Sequence, residues 1–300
     1  MTRVLVSGGT GFVGRFIVEH LLQNGYEVAV GGRTAPARGL FSKPVDFVPL
    51  SLDPGLDQAA AFAGMEGFVH AAFEHVAGKY RGGEGDDPDG FRHANIDGSR
   101  RLFETARAAG VKRCVFLSSR AVYGSRLAGT ADETTPPEPD TLYGEVKRAA
   151  ESLLRALAAH DFCVANLRVT GVYGAVGPGK KHKWAELFSA YLEGRPVEPR
   201  IGTEVHGDDV AAAVRLMLEA DAGAVSGEVF NVSDLLLDTS QILSIVRMLT
   251  ECPHPLPATV PPTGYLVMST DKLRALGWQP GGTARLKATV RELLADISPV

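Results

Sequence analysis

The first fourteen residues constrain the fold more than any other stretch. An apolar run, Val4–Ser7, passes directly into Gly8-Gly9-Thr10-Gly11-Phe12-Val13-Gly14, and Phe12–Leu22 then carries apolar residues at helical spacing. Gly8, Gly11 and Gly14 stand three apart. In a strand–turn–helix that spacing gives a tight turn, a backbone that can approach a phosphate, and a helix packed close on its strand. The helix N-terminus then offers its first amides to the anion.

Further strand-like runs at Glu27–Val30, Phe47–Leu50, Phe68–Ala71, Cys114–Ser118 and Phe162–Leu167 alternate with helical stretches. Parallel strands need crossover connections, so this rhythm predicts an α/β fold: a doubly wound parallel Rossmann sheet covered by helices on both faces. From Val172 the rhythm fails, broken by Gly177–Gly179, the cationic Lys180–Lys183 and the proline-rich Pro253–Pro262. A smaller, interleaved C-terminal substrate lobe is expected there, from 172–205 and 234–300. The dinucleotide-binding domain is then 1–171, rejoined by 206–233, where Asp208–Ala220 reads as a helix and Glu228–Val232 as a strand. The glycine-rich Gly82–Gly90 reads as a mobile loop over a site.

The net charge of −4 provides no basic field for nucleic acid or anionic lipid, and no segment has the length of a signal peptide or membrane span. A cytoplasmic protein is expected. Cys114, Cys163 and Cys252 show no paired metal spacing, so reduced structural thiols and no metal site are expected.

Strand two ends in Val30-Gly31-Gly32-Arg33, where an acidic residue would hold the adenosine ribose hydroxyls of a dinucleotide. A glycine followed by arginine leaves room for a 2′-phosphate and offers a forked donor, which favours NADP over NAD. Further on, Asp140 is positioned to cap a helix containing Tyr143-Gly144-Glu145-Val146-Lys147. Residues four apart share a helix face, so phenol and ammonium point the same way. A phenol ionises near about 10, and a neighbouring cation favours the phenolate, which suits Tyr143 to acid/base work. Ser118-Ser119 ends strand five, and ligands of open α/β sheets bind off the carboxyl ends of strands.

In order along the chain come Gly8–Gly14, Val69-His70-Ala71-Ala72, Asn95-Ile96-Asp97-Gly98, Phe116–Ser119 with Val122-Tyr123-Gly124, Tyr143–Lys147, Arg168 with Val172-Tyr173-Gly174, Val205–Asp209 and the closing Leu273–Pro280. Together they resemble the extended short-chain dehydrogenase/reductases, the NAD(P)-dependent epimerase/dehydratase family. The resemblance implies Tyr143 as acid/base, Lys147 also holding the nicotinamide ribose, and Ser119 orienting the reacting oxygen. It implies cofactor contacts from Gly8, Thr10, Gly11, Phe12, Val13, Gly14, Arg33, Leu52, Ala71, Ala72, Phe73, Ser118, Tyr143, Lys147 and Val169. Asn95, as a supporting polar group, and Arg120 are candidates on the substrate side; for Asn95 an internal helix-to-backbone hydrogen bond is the equal alternative. It also implies a small-molecule substrate and is compatible with a homodimer. His206, Asp208 and Asp209 are expected to start a helix and to carry no chemistry.

Departures from the family narrow the substrate. Arg120-Ala121 stands where sugar 4,6-dehydratases carry an Asp-Glu pair, which argues against a dehydratase. Gly171 and Gly202 align with an asparagine and an arginine that contact a nucleotide-sugar phosphate; Arg200 or Lys180–Lys183 are candidate substitutes, although a solvated loop is the favoured reading of the lysines. Ser51-Leu52 replaces an adenine-contacting Asp-Leu, with Asp53 beside it. Three functions follow. The first is a dehydrogenase or reductase acting on a secondary alcohol or its ketone, sugar-derived in one version. Its alternatives are a nucleotide-sugar 4-epimerase with retained NAD, and a non-catalytic NADP-sensing protein.

Overall fold

The computed structural model describes residues 2–76, 83–177 and 180–295. Seven strands form one wholly parallel sheet: β1 (Arg3–Ser7), β2 (Glu27–Gly32), β3 (Asp46–Pro49), β4 (Gly67–His70), β5 (Arg113–Ser119), β7 (Cys163–Val169) and β10 (Glu228–Val232). Their order is β3-β2-β1-β4-β5-β7-β10. The chain runs outward in one direction from β1 and in the other from β4, so the topological switch lies between those two, where open sheets of this kind leave a crevice.

Each expected run is a strand, its ends displaced by a residue or two because the hydrogen-bonded ladder need not stop where the apolar core of a run stops. Helices α1 (Phe12–Gln23) and α6 (Gly207–Glu219) cover one face, with Ile17, Val18, Leu21, Val210 and Val214 fully buried against Val4, Val6 and Val30. Helices α3 (Ser99–Ala108) and α4 (Leu142–Ala156) cover the other, packing Leu102, Phe103, Ala150 and Leu154 on Leu5, Phe68 and Phe116. Burying a side chain of this size is worth about 1.5 to 3 kcal/mol, so these two clusters hold the doubly wound layers together. Two short helices, α7 (Ala222–Val225) and α9 (Asp271–Ala275), lie against β10 at the sheet edge.

Three features lie outside that sheet. Strands β8 (Gly171–Tyr173), β9 (Ile201–His206) and β11 (Leu235–Asp238) form a small mixed sheet. Helices α5 (Ala185–Leu192), α8 (Thr239–Thr250) and α10 (Gly282–Ala295) contribute Phe188, Leu243, Val246, Leu286 and Val290 to a third core with Tyr173 and Trp184. Strand β6 (Gly129–Ala131) pairs with β12 (Leu266–Met268). His206 caps α6 by accepting from the Asp208 amide, and the Trp278 indole donates to the Asp209 carbonyl at 2.8 Å, tying the closing segment to that helix start.

Two local expectations are corrected. The cap of α4 is Thr141, whose hydroxyl accepts from the Gly144 amide at 3.2 Å; Asp140 instead accepts from the Ser125 amide at 2.9 Å. Thr141 stands three residues before Gly144, the spacing a side-chain cap requires, and Asp140 is one residue too early. Gly82, at the start of the glycine-rich stretch read as a mobile loop, lies outside the described residues, as do Pro178 and Gly179. Residues 83–86 form a turn, and Pro88–Arg92 is a short helix, α2, capped by Asp87.

Beneath the switch point, a buried chain of hydrogen bonds fixes His70. The Ala72 amide donates to Ser7 Oγ at 3.2 Å, Ser7 Oγ pairs with His70 Nδ1 at 2.7 Å, His70 Nε2 pairs with Ser99 Oγ at 3.0 Å, and Ser99 Oγ donates to the Asn95 carbonyl at 2.6 Å. Only the neutral ring protonated at Nε2 satisfies every partner. Burial, with Lys147 adding to it, pushes the His70 proton affinity down to about 3. The unfolded chain therefore takes up a proton below about 6.5 that the folded chain refuses, and stability falls as pH drops from there toward about 3. The expected contribution is about 1.4 kcal/mol per pH unit within that window. Urea titrations of wild type and His70→Gln between those pH values check it: parallel pH dependences would rule out a neutral native His70.

Candidate active site

The carboxyl ends of the central strands open into one cleft of about 810 Å³. Its lining contains Gly8, Thr10, Gly11, Phe12, Val13, Gly14, Arg33, Leu52, Ala71, Ala72, Phe73, Ser118, Ser119, Arg120, Tyr143, Lys147 and Val169. Residues as far apart in the chain as Gly8 and Val169 are thus brought together.

The glycine turn has no room for a side chain at Gly8 or Gly14. Gly8 adopts φ +69°, and a Cβ on Gly14 would stand 2.1 Å from the Gly8 carbonyl oxygen. Gly11, the N-cap of α1, offers no side-chain cap, so the first turn of a twelve-residue helix faces the cleft without an internal anion. Such a cradle fits a dinucleotide pyrophosphate, with the amides and helix dipole as its donors.

On α4, Lys147 is buried and donates from Nζ to the Leu117 carbonyl at 2.8 Å. Its ammonium lies 4.4 Å from the Phe73 ring centre, 4.8 Å from that of Phe116 and 5.9 Å from that of Tyr143. Burial lowers its proton affinity to about 7, opposed by the Glu151 carboxylate one turn further along. The Tyr143 ring meets Phe73 edge-on at 5.1 Å. Ser119 ends β5, its Oγ accepting from the Ala121 amide at 3.2 Å. Its neighbour Ser118 donates to Glu151, which is locked to Arg168 by bonds of 3.0 and 2.8 Å. The arrangement can bind a dinucleotide, hold a cation beside a phenol, and exchange a proton with a bound hydroxyl.

Other expected residues fall elsewhere. Asn95 does not line the cleft. It sits in a π-helical turn, His93–Gly98, with its amide group spent on both backbone groups of Glu74 and on the Phe91 carbonyl, each at 2.9 Å. Asp53 and Arg200 are likewise outside the lining, whereas Ser51 is within it. Arg120 reaches across to the Leu266 carbonyl at 3.0 Å and stacks over the Tyr265 ring at 4.8 Å. Of the lysine run, Lys183 lies in an exposed turn but also lines the cleft, bound to Glu204 at 2.7 Å.

Sequence reasoning passed over Glu74, Glu204 and Tyr265, all of which line the cleft. Glu204 alone had a signal, since it alternates on β9 with Gly202. Arg33 has a partner at the cleft: its Nη1 lies 3.3 and 3.2 Å from the two Glu74 carboxylate oxygens. Among the described residues no cluster of histidine, cysteine or acidic side chains is placed to hold a metal ion, and no helix is long and apolar enough to cross a membrane.

Comparison with known proteins bears on this site. A UDP-glucose 4-epimerase of Corynebacterium glutamicum is 26% identical, over 94% of this chain and 92% of its own length. A dTDP-6-deoxy-L-talose 4-dehydrogenase (NAD(P)(+)) of Kitasatospora kifunensis is 31% identical, over 97% and 94%. Among solved structures, a Thermus thermophilus UDP-glucose 4-epimerase in complex with NAD superposes with a TM-score of 0.77 at 30% identity, over 98% and 99% of the chains. A Thermotoga maritima UDP-glucose 4-epimerase with UDP-glucose does so with 0.79 at 25%, over 99% and 100%. The model of the NAD dependent epimerase/dehydratase family matches residues 4–233, and the chain belongs to that family, as an enzyme of the extended short-chain dehydrogenase/reductase type.

Proposed function

We propose that this enzyme removes a hydride from a secondary alcohol carbon of a sugar and returns it to the same carbon, the reaction of a nucleotide-sugar 4-epimerase. The observation that carries the chemical step is the placing of Tyr143, Lys147 and Ser119 in the cleft that also holds the glycine turn. The outcome, epimerisation, is supported by the relatives, most of which carry that activity in their names.

A bound nicotinamide dinucleotide supplies hydride transfer. Tyr143 takes the hydroxyl proton as the carbon is oxidised and gives it back on reduction. Lys147, fixed by the Leu117 carbonyl, favours the phenolate while it is charged. Ser119 donates to the reacting oxygen. Residues 1–171 with 206–233 form the dinucleotide lobe in this reading, and 172–205 with 234–300 the substrate lobe, supported by the presence of Lys183, Gly202, Glu204 and Tyr265 in the cleft lining.

Purified protein is expected to interconvert UDP-glucose and UDP-galactose with no net change in near-ultraviolet absorbance. Accumulation of reduced dinucleotide during turnover would overturn the epimerase and establish net dehydrogenation. That second reading is favoured by one feature of the substrate end. Lys183 is spent on Glu204, and a carboxylate buried beside Gly171 and Gly202 disfavours a diphosphate.

A further inference from the structure

We propose that Glu74 governs which dinucleotide this site takes, by holding the Arg33 guanidinium that would otherwise bind an adenosine 2′-phosphate. This rests on the reading of the cleft as a dinucleotide site. It bears on the expectation that Gly32-Arg33 favours NADP, set against a Thermus thermophilus relative that was solved with NAD.

In the sheet, β2 and β4 flank β1 on opposite sides. Arg33 follows β2 and Glu74 lies four residues beyond β4, so their ion pair spans the carboxyl end of β1, where the glycine turn begins. Both residues line the cleft. Among the described residues Glu74 is the one acid in ion-pair reach of Arg33. Its place is set from below: Asn95, 3% exposed, accepts from the Glu74 amide and donates to the Glu74 carbonyl. The wide π-helical turn that carries Asn95 is therefore a support for the residue facing Arg33.

A 2′-phosphate reaching Arg33 has to share the guanidinium with the Glu74 carboxylate, which faces its Nη1, and lie beside that negative charge. NAD carries a hydroxyl at that position and does not meet this cost. A Cβ on Gly32 would have only the Thr34 carbonyl near it, at 3.9 Å, so space for the phosphate is present. Steric room admits NADP and the ion pair offsets the charge that would select it. The wild-type protein therefore takes both dinucleotides with little preference.

The adenosine halves isolate this effect from the rest of the site. Titrating 2′,5′-ADP and 5′-AMP, then NADP⁺ and NAD⁺, into the full-length protein should give wild-type affinities within about threefold of each other in each pair. Glu74→Gln keeps the shape and removes the charge; it should strengthen 2′,5′-ADP and NADP⁺ about fivefold while leaving 5′-AMP and NAD⁺ unchanged, the size expected of an exposed ion pair. In the Arg33→Ala/Glu74→Gln double variant that gain should vanish. An unchanged ratio in Glu74→Gln, a gain that survives without Arg33, or a wild type that already favours 2′,5′-ADP strongly would each overturn the proposal. Wild-type protein that binds none of the four would instead overturn the dinucleotide reading beneath it.

Discussion

Replacing Tyr143 by phenylalanine is expected to lower kcat by about 10² to 10⁴ and to leave dinucleotide affinity near that of wild type. The substitution removes one oxygen. The ring keeps its edge-on contact with Phe73 at 5.1 Å, so the helix turn that carries it has no reason to move. Lys147 stays anchored to the Leu117 carbonyl at 2.8 Å, and the glycine turn is untouched. What is lost is the group that can exchange a proton with a substrate hydroxyl. Single-turnover measurement of the chemical step, alongside a direct titration of cofactor, separates the two effects. An unchanged rate for that step would remove Tyr143 from the mechanism. Lys147→Met provides the contrast, because it should weaken cofactor binding as well as turnover if Lys147 also holds the ribose.

The difference between those two variants shows how much of the site was legible in the chain itself. The glycine turn, the Tyr143–Lys147 pair and Ser119 could be read because each is a local pattern: strand, turn and helix within fourteen residues, or two side chains one helical turn apart. The parallel sheet could be read because alternating strands and helices leave few topologies. Contacts between distant segments were not legible. Glu74 follows an apolar strand with no spacing that marks it, and its meeting with Arg33 depends on β1 lying between β2 and β4. Lys183 looked like one of several solvated lysines until β9 placed Glu204 against it. Asn95 had a pattern, and of its two readings the structure shows the helix-to-backbone hydrogen bond, to the Phe91 carbonyl, beside two bonds to the Glu74 backbone that no spacing announced. In a helix of regular pitch it would be one more polar side chain, whereas the π-helical turn aims it at the backbone of residue 74. In each of these cases the missing information is which strands are neighbours.

The same dependence on distant packing produces the largest stability effect expected here. Glu151 and Arg168 meet behind the catalytic strand with side chains 6% and 5% exposed. The Glu151 carboxylate accepts from Arg168 Nε at 3.0 Å, from Arg168 Nη2 at 2.8 Å and from the Ser118 hydroxyl. Burial works against the charge on Arg168, and the bonds from Glu151 overcome it, keeping the guanidinium protonated. Glu151→Ala would leave that cation buried without its carboxylate, beside the Tyr123 side chain, whose ring lies 4.7 Å away. Breaking one side of a buried pair costs about 3 to 5 kcal/mol. For a chain of 300 residues that is a fall in Tm of about 5 to 8 °C. Replacing both partners is a different experiment: Glu151→Met with Arg168→Met removes the charges together, and most of the loss should be recovered, because the desolvation cost disappears with the ions. Thermal unfolding of Glu151→Ala and of the double variant therefore tests the origin of the effect as well as its size. If the double variant is as unstable as Glu151→Ala, the loss comes from packing around Ser118 and Tyr123. If Glu151→Ala unfolds within a degree or two of wild type, the guanidinium has found water, and the buried pair contributes nothing measurable to the fold.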